Sequence, residues 1–427
     1  MKKMKILLFV NSFPYGNEED TFIFPEVNYL NQKFDLTLIS SASPEIVREN
    51  RDNIKKCGEI NTIYYNENKV KVKIREWISF FFSQYFMEEI QAILREKKHC
   101  ILRIKKSIFF SIQAVRFSKW LQENGVLDAE QHLLLYSYWF DYHVLGSVIA
   151  RNALLRKDNV NLITRTHGYD LYDERVEKGK RQPFKDIMNS FVDKIVFASE
   201  YGCRYYCTKY NCVDKCVVFR LGAPAAQKFP NAKLGKKNLR IVSCSSLVAL
   251  KRVDLIIDML ACVKDVSIEW IHFGDGELKK DIDNYAVEKL KDCTNITYYL
   301  KGYVERKDIY CYYKEHYVDC FLTLSESEGG CPVSIQEAMA HGIPIIGTDV
   351  GGITEMIDGN GILLSSSPSV EEIVAAVRTL HEMTENEIRQ LRNRSIELWN
   401  KNFVNNDNAK KFTEYLWKLM DGKKGNE

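Results

Sequence analysis

No stretch of the 427-residue chain approaches the twenty or so apolar residues that a membrane-spanning helix needs. Charge of one sign is not in excess either. The chain has 60 lysines and arginines against 57 aspartates and glutamates, a formal charge of +3, too small for wholesale nucleic-acid binding. No G-x-G-x-x-G follows the strand that opens either half, at Lys5 or at Leu239, which counts against a nicotinamide-type dinucleotide site. The twelve cysteines keep no spacing like a disulfide frame, so reduced thiols in a cytoplasmic chain are expected. Met1-Lys2-Lys3 before an apolar run imitates a signal peptide, but that run is short, has no small-residue cleavage site and leads into a strand-to-loop pattern. With 45% hydrophobic residues, the chain is long enough for two globular domains with full cores.

The most informative stretch is LSESEGGCPVSIQEAMAHGIPIIGTDVGGITE, residues 324 to 355. Cys320 to Leu324 reads as a buried parallel strand. Polar residues Ser325 to Glu328 and the pair Gly329-Gly330 make a loop, and Pro332 stands where a helix should start. The helix has an apolar face of Val333, Ile335, Ala338 and Met339, carries Glu337 on its first turns, and ends at Gly342 before Pro344. Ile343 to Thr348 is the next strand, and Gly351-Gly352 turns into a short helix with Glu355. Open α/β sheets bind ligands at such strand ends, and helix amides there attract phosphate.

In the first half, Lys5 to Asn11 and Phe34 to Ser40 read as strands around a helix from Phe24 to Asn31, a βαβ start. Leu133 to Tyr136 and Asn161 to Arg165 read as strands whose ends deliver polar side chains. His167, just before Gly168, stands at the second of these ends, where a ligand contact and a structural hydrogen bond are both open readings. Between Val70 and Lys119, the aromatics Trp77, Phe80, Phe81, Phe82, Tyr85 and Phe86 lie near Arg95, Lys97, Lys98, Arg103, Lys105, Lys106, Arg116 and Lys119. This fits a surface resting on anionic lipid, and it fits the commoner case of a core-facing helix with a solvated basic face. Cys203, Cys207, Cys212 and Cys216 are spaced C-x3-C-x4-C-x3-C, unlike the tighter pairs of familiar zinc frames, and no metal site is expected.

In the second half, Leu239 to Cys244 starts a new Rossmann-like unit. Lys251 and Arg252 then stand at a helix start, where two cations oppose the helix dipole unless an anion sits there. Ile268 to Phe273 enters Gly274-Asp275-Gly276, glycines that let backbone close on a nucleotide. Glu385 to Lys401 and a stretch through Trp417 read as the last helices, with a frayed tail from Lys423 to Glu427.

The segment from Glu328 through Glu337-Ala338-Met339-Ala340-His341-Gly342-Ile343-Pro344 to Gly351-Gly352-Ile353-Thr354-Glu355 resembles the signature of family four glycosyltransferases, retaining nucleotide-sugar enzymes of the GT-B fold. The resemblance is dense from Leu239 to Leu364 and sparse before it. One departure is a residue more than usual between the two glutamates, and Gly329-Gly330 are expected to bulge outward. A second is Ser246, which stands where the family has the arginine of a diphosphate clamp. Lys251 matches the clamp lysine, and Arg252 is expected to replace the arginine.

The resemblance implies an α/β chain with two Rossmann-like domains facing a cleft: residues 1–222 for the acceptor, a linker 223–238, residues 239–402 for the nucleotide sugar, and residues 403–427 crossing back to the first domain. It implies transfer of a sugar from a nucleoside-diphosphate sugar to a hydroxyl of a lipid-linked or oligosaccharide acceptor in bacterial surface polysaccharide synthesis. His167, Lys251, Arg252 and Glu328 would carry catalysis, with Glu328 on the sugar hydroxyls and Glu337 on the ribose. Ser246, Gly274, Gly276, Gly302, Tyr303, Val304, Gly330, Cys331, Pro332 and Val333 would line the donor. Tyr15, Gly16, Glu18, Glu19 and Thr21 of the first loop, with Arg165, Asp170 and Tyr172, would face the acceptor. No cofactor, no metal and no nucleic acid are expected, since the cations stand in for metal and no donor loop carries Asp-x-Asp. A cytoplasmic location follows, with peripheral contact at the inner membrane face. A nucleotide-sugar 2-epimerase on the same fold and an inactive nucleotide-sugar-binding module are the alternatives; products formed with and without acceptor separate them.

Overall fold

The computed structural model describes residues 4–16, 20–127, 132–173, 182–225 and 238–421, without the side chains of 20–22. These residues fall into two units, one of Met1–Ala198, Gly202–Phe219 and Ala409–Glu427, the other of Ser199–Tyr201 and Arg220–Asn408.

The first unit holds a seven-stranded parallel sheet of β1 (Lys5–Val10), β2 (Asp35–Ser40), β3 (Asn61–Tyr64), β4 (Leu133–Ser137), β5 (Val160–Thr166), β6 (Lys194–Phe197) and β7 (Cys216–Val218), in the order β3-β2-β1-β4-β5-β6-β7. Its central strands are apolar on both faces because helices cover both. Successive side chains alternate between two cores. Leu7, Phe9, Leu133 and Leu135 join the layer under helices Cys100–Glu123 and Tyr142–Asn152. Ile6, Leu8, Val10, Leu134 and Tyr136 join the opposite layer. That layer is closed by Phe412, Leu416 and Met420, spaced by four along the helix Asn405–Asp421, which is why the end of the chain groups with its beginning.

The second unit holds a six-stranded parallel sheet of β8 (Asn238–Cys244), β9 (Ser267–Phe273), β10 (Ile296–Leu300), β11 (Cys320–Thr323), β12 (Ile345–Thr348) and β13 (Gly361–Leu364), in the order β10-β9-β8-β11-β12-β13. Each sheet starts in its middle and grows first to one side, then to the other. The order reverses between β1 and β4 in the first and between β8 and β11 in the second, and such switch points are where open α/β sheets take ligands.

The expected boundary at residue 222 lies three residues late, because Arg220 already packs with the second unit. Most of the expected linker, residues 226–237, and the tail from Lys423 lie outside the described residues. Among the described residues no helix is long and apolar enough to cross a membrane.

Candidate functional site

At the switch point of the second sheet, the loops leaving β8 and β11 are tied together backbone to backbone, the Glu326 amide donating to the Leu250 carbonyl over 2.9 Å. Lys251 ends the turn Ala249–Lys251, and its ammonium forms an ion pair with the Glu328 carboxylate. The two residues expected to hold diphosphate and sugar thus face each other, both half-buried.

Arg252 does otherwise than expected. Its Nε donates to the Leu324 carbonyl (2.6 Å), and its Nη2 to the carbonyls of Ser325 (2.9 Å) and Ser366 (3.0 Å). With Nε and Nη2 engaged by the loops after β11 and β13, the guanidinium staples the β8 loop to both. That makes Arg252 a positioning residue for Lys251 and Glu328 rather than the missing half of a clamp. Ser246, at the vacated arginine position, is exposed.

The loop bearing Glu328 is held from two further directions. Thr348 Oγ1 donates to the Ser325 carbonyl over 2.6 Å. A Cβ on Gly351, whose φ is +53°, would fall 1.9 Å from the Glu328 carbonyl oxygen, and one on Gly352 would fall 2.2 Å from that of Gly330. Those glycines are needed so that the turn after β12 can lie flat against this loop. The expected outward bulge at Gly329-Gly330 is not found: Gly329 is buried, and the added residue is absorbed inside the loop. Glu355 is occupied, accepting from Arg220 Nη2 and from the Tyr201 amide, each over 2.6 Å.

Glu337 lies in the second turn of the helix Val333–Ala340, within its first turns as expected, and is 6% exposed. Arg306 Nε stands 2.5 Å from its Oε1 and the Tyr310 hydroxyl donates to the same oxygen over 3.0 Å. Burial pushes this carboxyl above the usual range, and Arg306 and Tyr310 pull it back. Both partners come from one face of the helix Arg306–Glu315, four residues apart. Sequence reasoning missed them, and their i, i+4 spacing was the available signal. The first amides of Val333–Ala340 have no intrahelical partner and lie beside Gly330 to Val333. Of those donor candidates Cys331 is buried and the rest are half-buried.

The glycines after β9 serve a different approach from the expected one. A Cβ on Gly274 would meet the Ser245 carbonyl oxygen at 1.8 Å, and one on Gly276 the Leu247 carbonyl oxygen at 2.5 Å. They let the loops after β8 and β9 press together. Gly302, with φ +67°, accepts the Gly274 amide over 2.9 Å, next to Tyr303, 70% exposed, and half-buried Val304. His272, at the end of β9, was also missed. Its Nδ1 lies 2.8 Å from Ser243 Oγ, and burial lowers its pKa to about 4, so the ring is neutral.

In the first unit the end of β5 gives a mixed result. His167 keeps both ring nitrogens buried without a hydrogen-bond partner, against Trp139 (ring centroids 4.2 Å apart) and Tyr138 (5.2 Å). Burial, then the nearby Arg165 charge, holds it well below its ordinary pKa, so it is a neutral imidazole. Buried unpartnered nitrogens carry a cost that a bound hydroxyl would relieve.

Two neighbours expected to face an acceptor turn inward. Arg165 is 1% exposed and donates to Glu26 Oε2 (2.7 Å), the Tyr136 hydroxyl (3.1 Å) and the Phe219 carbonyl (2.9 Å). A guanidinium so enclosed is a core residue, not a ligand contact. Asp170 is fully buried and accepts the amides of Phe140 (2.8 Å) and His167 (2.5 Å) and the Thr166 hydroxyl (2.9 Å). It binds the ends of β4 and β5 together, and burial pushes its carboxyl up to about 6.

Tyr172 and Tyr15 are likewise buried, at 3% and 5% exposure, so neither offers an acceptor surface. Gly16 closes a tight turn, its amide donating to the Ser12 carbonyl over 2.9 Å. Glu18, Glu19 and the side chain of Thr21 lie outside the described residues. Ser41, His143 and Asp141 form a hydrogen-bonded row of 3.0 and 2.8 Å, but the Ser41 hydroxyl donates to the Val10 carbonyl and so ties strand ends.

Residues 238–383 match the family model described as glycosyl transferases group 1, and this stretch holds Lys251, Glu328 and Glu337. The Escherichia coli O-antigen biosynthesis glycosyltransferase WbnH is 27% identical over 140 residues, 33% of this chain and 37% of that protein, so the match spans well under half of either. Among solved structures, the apo lipopolysaccharide outer core galactosyltransferase WaaB has TM-score 0.66 at 16% identity over 97% of this chain and 100% of its own. The Anabaena protein HepE, in complex with UDP and glucose, has TM-score 0.65 at 16% identity over 97% and 100%. The chain has the GT-B fold.

Proposed function

We propose that this chain, whose residues 238–383 match the glycosyl transferases group 1 family model, moves a sugar from a nucleoside-diphosphate sugar to an acceptor hydroxyl in the synthesis of a bacterial surface polysaccharide. The observation that carries this reading is the Lys251–Glu328 pair at the switch point between β8 and β11, beside the open end of the helix Val333–Ala340. A diphosphate would take Lys251 from Glu328 and accept the first helix amides, which stabilises it as it leaves. Glu328, released, would accept from the sugar hydroxyls. For His167, at the end of β5, the proposal is a hydrogen bond from or to a sugar hydroxyl. The acceptor attacks on the face the diphosphate leaves, with retention and no enzymic nucleophile. Incubating the protein with a panel of nucleotide sugars, with and without acceptor glycans, tests this. Nucleotide release that rises with acceptor supports transfer, whereas donor isomerised without acceptor would point to an epimerase.

Three outcomes follow from this reading. Glu337→Gln should raise the donor KM more than it lowers kcat, because a ribose contact is made alike in ground and transition states. A fall in kcat alone would remove Glu337 from the ribose.

Added magnesium or manganese should leave turnover unchanged, because Lys251 and helix amides supply the positive charge. Turnover lost to a chelator and restored by manganese alone would contradict this.

The third outcome concerns a lipid-linked acceptor. Trp77, Phe80, Phe81, Tyr85 and Phe86 are core residues or packed on the core, and Arg103 and Lys119 pair with Glu96 and Glu76, so these seven drop out of the lipid-surface reading. Of the expected residues Phe82 (80%), Arg95, Lys97, Lys98 and Lys105 are exposed, and beside them in sequence so are Ile74 (77%), Ile78 (54%), Ile101 (78%) and Phe109 (63%). Apolar side chains flanked by cations suit an anionic bilayer surface. The protein should sediment with vesicles containing phosphatidylglycerol and less so as salt rises, and Ile78→Ser with Phe82→Ser should weaken it. Equal sedimentation with neutral vesicles would remove the electrostatic part.

A further inference from the structure

The four cysteines of the C-x3-C-x4-C-x3-C stretch lie together at the β7 edge of the first unit's sheet, away from that sheet's switch point between β1 and β4. Cys203 and Cys207 lie one turn apart on the helix Glu200–Tyr210, so their side chains leave the same face. Cys212 lies in the turn beyond it, and Cys216 opens β7, the three-residue edge strand. The sulfurs of Cys203 and Cys207 are 3.9 Å apart, those of Cys212 and Cys216 are 3.7 Å apart, and those of Cys203, Cys207 and Cys216 all lie within 4.8 Å of one another. A disulfide holds its sulfurs at about 2.05 Å, so neither pair is bonded. Tetrahedral zinc holds each thiolate at about 2.3 Å, which sets neighbouring sulfurs about 3.8 Å apart. The two measured pairs bracket that spacing.

We propose that Cys203, Cys207, Cys212 and Cys216 bind a structural zinc ion. The spacing hides this because sequence frames look for tight knuckles, whereas here one helical turn brings the first two sulfurs together and the edge of the sheet brings up the other two. Without metal the cluster holds weak S–H bonds, among them that of Cys216 to the Cys212 carbonyl over 3.2 Å. Zinc binding exchanges four thiol protons for one dication, leaving a cluster of net charge 2−. Lys215 favours that charge at Cys212 and Asp214 opposes it. A closed four-sulfur site would staple the helix Glu200–Tyr210 to β7, whose one sheet partner among the described residues is β6. The ion would support the fold and take no part in transfer.

The test uses the full chain, purified under reductant and dialysed against zinc chloride, with bound metal measured by mass spectrometry. About one zinc per chain is expected. Cobalt(II) in its place should give thiolate-to-metal charge transfer and tetrahedral d–d bands, and affinity should rise with pH as the thiols ionise. Cys203→Ser and Cys216→Ser should lose the metal, while Cys262→Ser and Cys311→Ser, at exposed thiols of the second unit, should keep it. If the first two variants do not fold, the wild type still decides. Titrating its thiols with a mercurial should release zinc to a chromogenic chelator. Wild-type protein that binds neither metal, cobalt bound without thiolate bands, or a Cys203–Cys207 or Cys212–Cys216 disulfide in anaerobically handled protein would each overturn the proposal.

Discussion

Lys251→Ala is expected to lower kcat/KM for the donor by about a hundred- to a thousandfold, the scale for removing one preorganised charge donor from a leaving group. The lysine is the one cation in the turn after β8 that the described structure leaves for a ligand, since Arg252 is spent on the Leu324, Ser325 and Ser366 carbonyls. Lys251→Arg should recover only part of the loss, because a planar fork does not reproduce a compact ammonium. Glu328→Gln gives the complementary result. It removes the carboxylate that competes for Lys251, so the free nucleoside diphosphate should bind at least as tightly while kcat falls. Steady-state kinetics with calorimetric titration of the diphosphate separates the two. Wild-type kinetics in Lys251→Ala would show that the diphosphate is held elsewhere.

The second large effect is on folding. Arg165→Met is expected to destabilise the first unit by about 3–5 kcal/mol, because it leaves the Glu26 carboxylate buried with only the Tyr136 hydroxyl. Glu26→Gln should cost a similar amount. The double variant Glu26→Leu, Arg165→Met should regain most of the loss, since a well-packed apolar pair does not carry the desolvation of two ions. Urea denaturation of the four proteins measures this. An Arg165 that contacted an acceptor would instead leave stability unchanged and raise the acceptor KM.

Arg165 also illustrates what a sequence holds and how it is missed. Its place at a strand end suggests a ligand contact, yet strand parity puts it on the face of Ile163, which the last helix covers. Parity was readable, but the covering helix, more than two hundred residues away, was not. Asp170 was misjudged for a related reason: a carboxylate after a strand end can cap backbone amides as readily as it can meet a ligand, and only the distance to Phe140 decides. The donor half fared better. Glu328, Glu337 and the glycine pair Gly351-Gly352 fall in one short stretch, where the two glycines lie against the loop that holds the first glutamate, so that packing leaves its trace in the sequence. Arg252 was misread because a cation at a helix start suggests an anion, while its three carbonyl acceptors come from β11 and the loop after β13. Arg306 and Tyr310 offer only an i, i+4 spacing, common on any helix, which gains meaning beside Glu337.

The most direct measurement is proton NMR of a nucleotide sugar incubated with acceptor and either the wild type or Lys251→Ala, following the anomeric signal. The wild type should consume one donor of the panel and deliver the sugar with its anomeric configuration kept, and Lys251→Ala should do so about a hundredfold more slowly. A panel left intact by the wild type, or a donor consumed equally fast by both proteins, would contradict transfer at the β8–β11 switch point.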